Sequence, residues 1–288
     1  MAPVSTKAKA GLALLLATRG VIGFVVFKNA NKPAPAPAIE TVPVVQATST
    51  IKIIGRSVEG RNIAAHIYGN GPKHLIFVGG IHGGYEWNST LLAYTFIDYL
   101  NSHLESLPKN LTISIIPSMN PDALYKVTHR EGRFVAEDVT TNETILKEAR
   151  FNSHAVDLNR NFDCNWQSKS TWQSKTVSAG TSVLSEPEAQ AISQFILNDR
   201  PTAVVFWHSK SNAVYASQCN NGISSSTLEL MNIYADASGY KAVPSFDAYK
   251  VTGAVEDWLA SINIPAITVE LKTHEAIERD KNLAGSLA

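Results

Sequence analysis

Three apolar runs in this chain each lead into a residue able to bind a metal or carry a proton. His74-Leu75-Ile76-Phe77-Val78 passes through Gly79-Gly80-Ile81 to His82. Ala203-Val204-Val205-Phe206-Trp207 ends at His208, and Ile267-Thr268-Val269 ends at Glu270. A short unbroken apolar run closed by glycine or a polar residue reads as a strand buried on both faces. Such strands need cover above and below, which points to an α/β fold with a mostly parallel or mixed central sheet and helices on both faces. Ligands bind beyond the carboxyl ends of the strands in sheets of this kind. All three polar residues fall there, and Glu86 follows His82 within the same turn. One polar strand end is unremarkable; three together are hard to explain as core chemistry.

The segments between these runs fit the same class. Ile51–Ile54 and Ile63–Tyr68 read as two strands around Ser57-Val58-Glu59-Gly60, and Leu111–Ile116 as another. A helix is expected over 91–104, with Leu92, Phe96, Ile97 and Leu100 near helical spacing. Ser185-Glu186-Pro187-Glu188 has a helix start's chemistry, with Ser185 as the cap and proline in the first turn. Residues 226–238 and 253–262 are expected to be helical, and 212–217 a short strand. Residues 123–156 are polar and irregular, with one short helix near 143–149. No internal repeat or second core is evident, so residues 39–288 are expected to form one domain, a monomer.

The chain has 25 basic and 25 acidic residues, but the balance is uneven. Lys7, Lys9, Arg19, Lys28 and Lys32 lie within residues 1–38, which contain no acid, so the remainder is net acidic. Nothing there suits nucleic acid as a partner. Lys7 and Lys9 precede an apolar stretch from Ala10 to Phe27, and a Pro/Ala tract follows. A basic head, an apolar run and small residues fit an export signal, with Ala36-Pro37-Ala38 as a cleavage site. An uncleaved membrane tether through residues 10–27 is the alternative, although Arg19 costs ~2.5–3.5 kcal/mol at the centre of a spanning helix. Either way the expected location is extracytoplasmic, secreted or membrane-anchored, with the Pro/Ala tract as a stiff spacer. Cys164 and Cys219 could then form one disulfide or remain two buried thiols. Three Asn-x-Ser/Thr triplets, at Asn88, Asn110 and Asn142, need no explanation beyond chance, and a glycan on Asn88 would lie beside the strand ends.

Val156-Asp157-Leu158-Asn159-Arg160-Asn161-Phe162 narrows the chemistry. With the His82…Glu86 turn before it and Trp207-His208-Ser209 after it, the chain resembles the zinc carboxypeptidase family from about residue 51 onward. Tyr249, Trp258 and the late Glu270 follow in the family's order. The resemblance implies one Zn2+ per chain, held by His82, Glu86 and His208 with a fourth position open to water. It implies Asp157 behind the far nitrogen of His82 and Glu270 as the general base. Arg150 would stabilise the oxyanion, with Arg130 and Arg133 as alternatives in the same excursion. Asn159 and Arg160 would clamp a substrate's free carboxylate, and Tyr249 would close over it. Glu256 matches the position lining the side-chain pocket, where an acid would attract a basic terminal residue or the amine end of diaminopimelate. Its alternative is a solvated helix start. One departure stands out. The family places its glutamate three residues after the first histidine, whereas Glu86 is four after His82. Either the turn bulges by one residue, aided by Gly83 and Gly84, or the metal site is altered; the bulge is expected, since no other carboxylate is within reach.

The expected activity is hydrolysis of an amide bond next to a free carboxylate in a peptide, or in a muropeptide of the cell wall. Two other classes are weaker. An α/β-hydrolase esterase needs Gly-x-Ser-x-Gly, and the chain has none. A peptide-binding module without metal would not need both histidines and Glu270.

Overall fold

Alternation decides how the central strands sit. In the computed structural model, which describes residues 49–288, ten strands and seven α-helices form. The export and tether reading falls on residues 1–38, outside the described part. Among the described residues no helix is long and apolar enough to cross a membrane.

The chain opens with β1 (Ser49–Arg56) and β2 (Asn62–Gly69), the expected antiparallel hairpin, and enters the buried strand β3 (Lys73–Val78). After the polar turn come α1 (Trp87–Ser102), β4 (Leu111–Ile116), α2 (Pro121–Thr128) and α3 (Glu143–Glu148). A small hairpin, β5 (Lys169–Trp172) with β6 (Lys175–Ser178), precedes α4 (Pro187–Asp199). The rest is β7 (Ala203–Ser209), β8 (Ala213–Ala216), α5 (Ser225–Ser238), β9 (Lys241–Val243), α6 (Val255–Ser261), β10 (Ala266–Leu271) and α7 (Arg279–Leu287).

Eight strands make one sheet in the order β1-β2-β4-β3-β7-β10-β8-β9. Its middle, β4-β3-β7-β10, is parallel, and antiparallel pairs flank it. The sheet is therefore mixed. Successive side chains of β7 go to opposite sides. Val204 and Phe206 join Ile76 and Val78 beneath α4 and α6; Val205 and Trp207 join Phe77 beneath α1, α5 and α7. Fully burying side chains of this size stabilises by about 1.5–3 kcal/mol each, so the register of the middle strands is strongly held.

Several local expectations are corrected. The segment after β4 is not irregular from its start, because Asn120 caps α2: its Oδ1 accepts from the Ala123 N–H at 3.2 Å, and Pro121 occupies the first turn. The cap of α4 is Glu186, not Ser185, whose hydroxyl instead donates to Glu186 Oε1 at 2.7 Å. Helix α1 begins at Trp87, four residues before the expected start. Asn88 is fully buried, donating to the carbonyls of Thr273 and Ala276, which leaves no room for a glycan. Cys164 and Cys219 are bridged.

Candidate metal centre and cleft

The turn after β3 carries the first two candidate ligands. Gly80 lies at φ 65° and Gly83 at φ 45°, in the left-handed region that favours glycine. A Cβ on Gly83 would meet Ala123 Cβ at 2.4 Å, so this turn accepts no side chain there. Residues Gly83–Glu86 form a single 3-10 turn that absorbs the extra residue and delivers Glu86 to the start of α1. The third candidate, His208, is the penultimate residue of β7, on the α6 side of the sheet. Glu270 stands beside it, in parallel register on β10.

His82, Glu86 and His208 converge, all buried, with their ligand atoms within 4.8 Å of one another. The two Nδ1 atoms are 3.3 Å apart; Glu86 Oε1 is 2.8 Å from His82 Nδ1, and Oε2 is 3.1 Å from His208 Nδ1. Ligands about 2.0–2.1 Å from a tetrahedral zinc lie about 3.3–3.4 Å from each other, so this spacing suits one shared ion. The donor set, two imidazoles and one carboxylate, is also zinc's.

Charge supports the same fit. Burial would raise the Glu86 carboxyl, but His82 and His208 outweigh it and hold Glu86 well below the carboxylate range. Burial would lower His208, but Glu86 and Glu256 outweigh it and favour its protonated form. A cation in that place would supply the positive charge that these carboxylates otherwise draw from a proton.

Around the cluster, Asp157 Oδ1 lies 3.5 Å from His82 Nε2. Burial alone would raise Asp157, but Arg150, Arg160 and His82 keep it ionised. Arg150 donates from Nε to Asp157 Oδ2 at 2.9 Å, its Nη2 lies 2.9 Å from the same oxygen as an ion pair, and its Nη1 is 3.6 Å from Glu86 Oε1. Arg130 and Arg133 instead pair with Asp138 and Asp98 on the surface, away from the site. Asn159 and Arg160 are buried at the cleft; Asn159 Oδ1 accepts from the Val255 N–H at 2.8 Å, at the start of α6. Tyr249 packs on Phe246 at the rim, in the loop before α6.

These residues line one cleft of about 570 Å³. Glu256 departs from both sequence readings. It lines the cleft but is only 4% exposed, which excludes a solvated helix start, and its Oε1 lies 3.0 Å from His208 Nε2, a contact that neither reading included. The neighbouring acid facing the cleft is Asp257, whose carboxyl burial pushes up to about 7 against the pull of the Gln218 N–H. Glu270 is raised too, first by burial and then by the charge of Glu86.

Sequence reasoning missed two contributors. Trp172, at the end of β5, lies under the Arg150 guanidinium at 4.7 Å and meets the Tyr85 ring at 5.2 Å. His274 packs on Tyr85 and bonds the Ser209 hydroxyl at 2.7 Å. Neither sits in a motif. Only the aromatic at 172 in an otherwise polar stretch was a signal.

The zinc carboxypeptidase family matches residues 45–282. Among curated relatives, gamma-D-glutamyl-L-diamino acid endopeptidase 1 of Lysinibacillus sphaericus is 24% identical over 80% of this chain and 61% of its own length. Carboxypeptidase O of Bos taurus is 29% identical over 70% of this chain and 58% of its own length. The chain thus spans about three-fifths of these relatives. Among solved structures, a carboxypeptidase A from Helicoverpa armigera superposes with a TM-score of 0.62 at 21% identity, covering 83% of this chain and 65% of that one. A murein-tripeptide amidase from Escherichia coli O157 gives 0.56 at 22%, covering 82% and 90%. Both share the fold.

Proposed function

Because the chain belongs to the zinc carboxypeptidase family, we propose that it hydrolyses an amide bond adjacent to a free carboxylate, using one zinc ion per chain. The carrying observation is the His82–Glu86–His208 cluster at the cleft floor with Glu270 in register beside it. Zinc at that position would polarise a carbonyl and acidify a water.

The chain's own groups supply the rest. Glu270, made basic by burial and by Glu86, takes a proton from water and passes it to the leaving amine. Arg150, buried and held by Asp157, keeps its Nη1 toward the cluster, where it can donate to an oxyanion. Arg160 spends three N–H groups on the carbonyls of Thr171 and Asn159, which leaves two of its five for a substrate carboxylate. Asn159 stands with it, and Tyr249 covers the cleft from the rim.

Two peptide classes suit this cleft: an ordinary peptide with a free carboxyl terminus, or a muropeptide. The second is favoured by the Lysinibacillus relative, an endopeptidase of gamma-D-glutamyl-L-diamino acid bonds. The location we infer is extracytoplasmic, secreted or tethered through residues 10–27, which the disulfide and the basic, apolar leader support; the catalytic domain is read over 39–288 and as a monomer.

A panel of peptides ending in Lys, Phe, Glu or diaminopimelate, each free and amidated, tests the reading alongside metal analysis. The expected result is about one zinc per chain and hydrolysis only of free-carboxylate peptides, fastest with diaminopimelate if the natural substrate is a muropeptide. Equal turnover of amidated peptides would remove the carboxylate clamp, and failure to retain zinc would remove the mechanism.

A further inference from the structure

Glu256 is the group whose position sequence logic explains least. It is the second residue of α6, on the face of the sheet that receives Val204, Phe206 and, two residues on, His208. Its carboxylate Oε1 is 3.0 Å from His208 Nε2, while the same ring's Nδ1 turns to Glu86 and His82. A neutral imidazole carries one N–H, and its partner decides which nitrogen bears it. An acceptor at Nε2 keeps the proton there and leaves the Nδ1 lone pair for a metal. The anchoring of Glu256 is equally specific: Asn159 Oδ1 accepts from the Val255 N–H at 2.8 Å, tying the start of α6 to the Asp157–Asn161 segment.

The contrast with His82 sharpens the point. Its carboxylate, Asp157, is 3.5 Å from Nε2 and is already committed to Arg150 and to the Asn159 N–H. Glu256 is closer to its histidine and has no arginine competing for it in this structure.

We propose that Glu256 is a positioning residue for His208, setting metal affinity through the imidazole's orientation and tautomer rather than selecting a substrate side chain. The inference rests on the zinc reading above. Partners of this kind are typically worth 10–100-fold in metal affinity. The test is zinc affinity by chelator competition, with the absorption spectrum of the Co2+-substituted protein, for wild type, Glu256→Ala and Glu256→Gln. Each is paired with kcat/KM on peptides ending in Lys and in Phe. Glu256→Ala should weaken zinc about 10–100-fold and alter the Co2+ spectrum. It should leave the ratio of Lys to Phe rates unchanged. Glu256→Gln, whose amide oxygen still accepts from Nε2 and which keeps the side chain's size if Ala fails to fold, should recover most of the affinity. Unchanged zinc affinity in both variants would overturn the proposal, as would a change confined to the ratio of Lys to Phe rates. A wild-type protein that binds no zinc would instead overturn the metal reading itself.

Discussion

The site is built in two ways, and the two halves of the cleft differ in what holds them. His208 and Glu270 ride on β7 and β10, where the sheet's register and the apolar layers on either side leave each side chain one place to go. Arg150, Asn159, Arg160 and Tyr249 come from segments with little regular structure, and polar contacts hold them instead. Asp157 fixes Arg150, Asn161 donates to the carbonyls of Ala179 and Ser182, and the Cys164–Cys219 bridge ties the segment after Phe162 to the one after β8. The strand half can therefore be altered chemically without loss of shape, whereas the loop half loses shape when a single polar contact is removed.

The largest expected effect separates chemistry from architecture. Glu270→Gln should lower kcat about 10²–10⁴-fold while zinc stays bound. Its melting temperature near neutral pH should hold or rise, because the substitution removes a carboxyl that burial disfavours when charged. A marked fall in melting temperature would show that the strand half is not independent of its polar side chain. Arg150→Ala should do the reverse and unfold the loop half. Asp157 would be left buried without its main counter-charge, at a cost of about 3–5 kcal/mol. Denaturant titration reads this directly; a loss below about 1 kcal/mol, the scale of an exposed pair, would show that water reaches Asp157.

Replacing Cys164 and Cys219 by serine should cost about 2–4 kcal/mol, the usual worth of such a bridge. Hydrolysis should suffer more through KM than through kcat, since the bridge borders the cleft and not the ligand cluster. The smallest effect is on pH dependence. Asp257 titrates near 7 in the folded chain and near 4 when unfolded. Between those values the folded form holds the extra proton, so stability should fall as pH rises from about 4 to about 7. Asp257→Asn should flatten that part of the melting-temperature profile, and an unchanged slope would mean that Asp257 is solvated.

Much of this was legible in the chain because the relevant signals are local. The strand ends at His82, His208 and Glu270 follow from apolar runs that cannot be solvated, and the helix containing Phe96 and Leu100 from simple periodicity. Where competing local readings coexisted, the sequence was less informative. Asn120-Pro121 could end a strand or start a helix, and the β5–β6 hairpin has too few apolar residues to announce itself. The contact of Glu256 with His208 was not legible for a different reason: its partner is 48 residues away, and spacing along the chain says nothing of which face of α6 meets β7.

By itself, the amino-acid order determined the fold class, the candidate ligand set and the family, since each depends on residue type and near-neighbour pattern. Only the tertiary structure decided that the one-residue-longer turn still brings Glu86 within 2.8 Å of His82, that Arg150 rather than Arg130 or Arg133 reaches the cluster, and that Glu256 lies 3.0 Å from a histidine nitrogen. Those are matters of angle and distance between segments far apart in the chain. They are set by how a helix, a turn and a strand pack against one another, which no local pattern encodes.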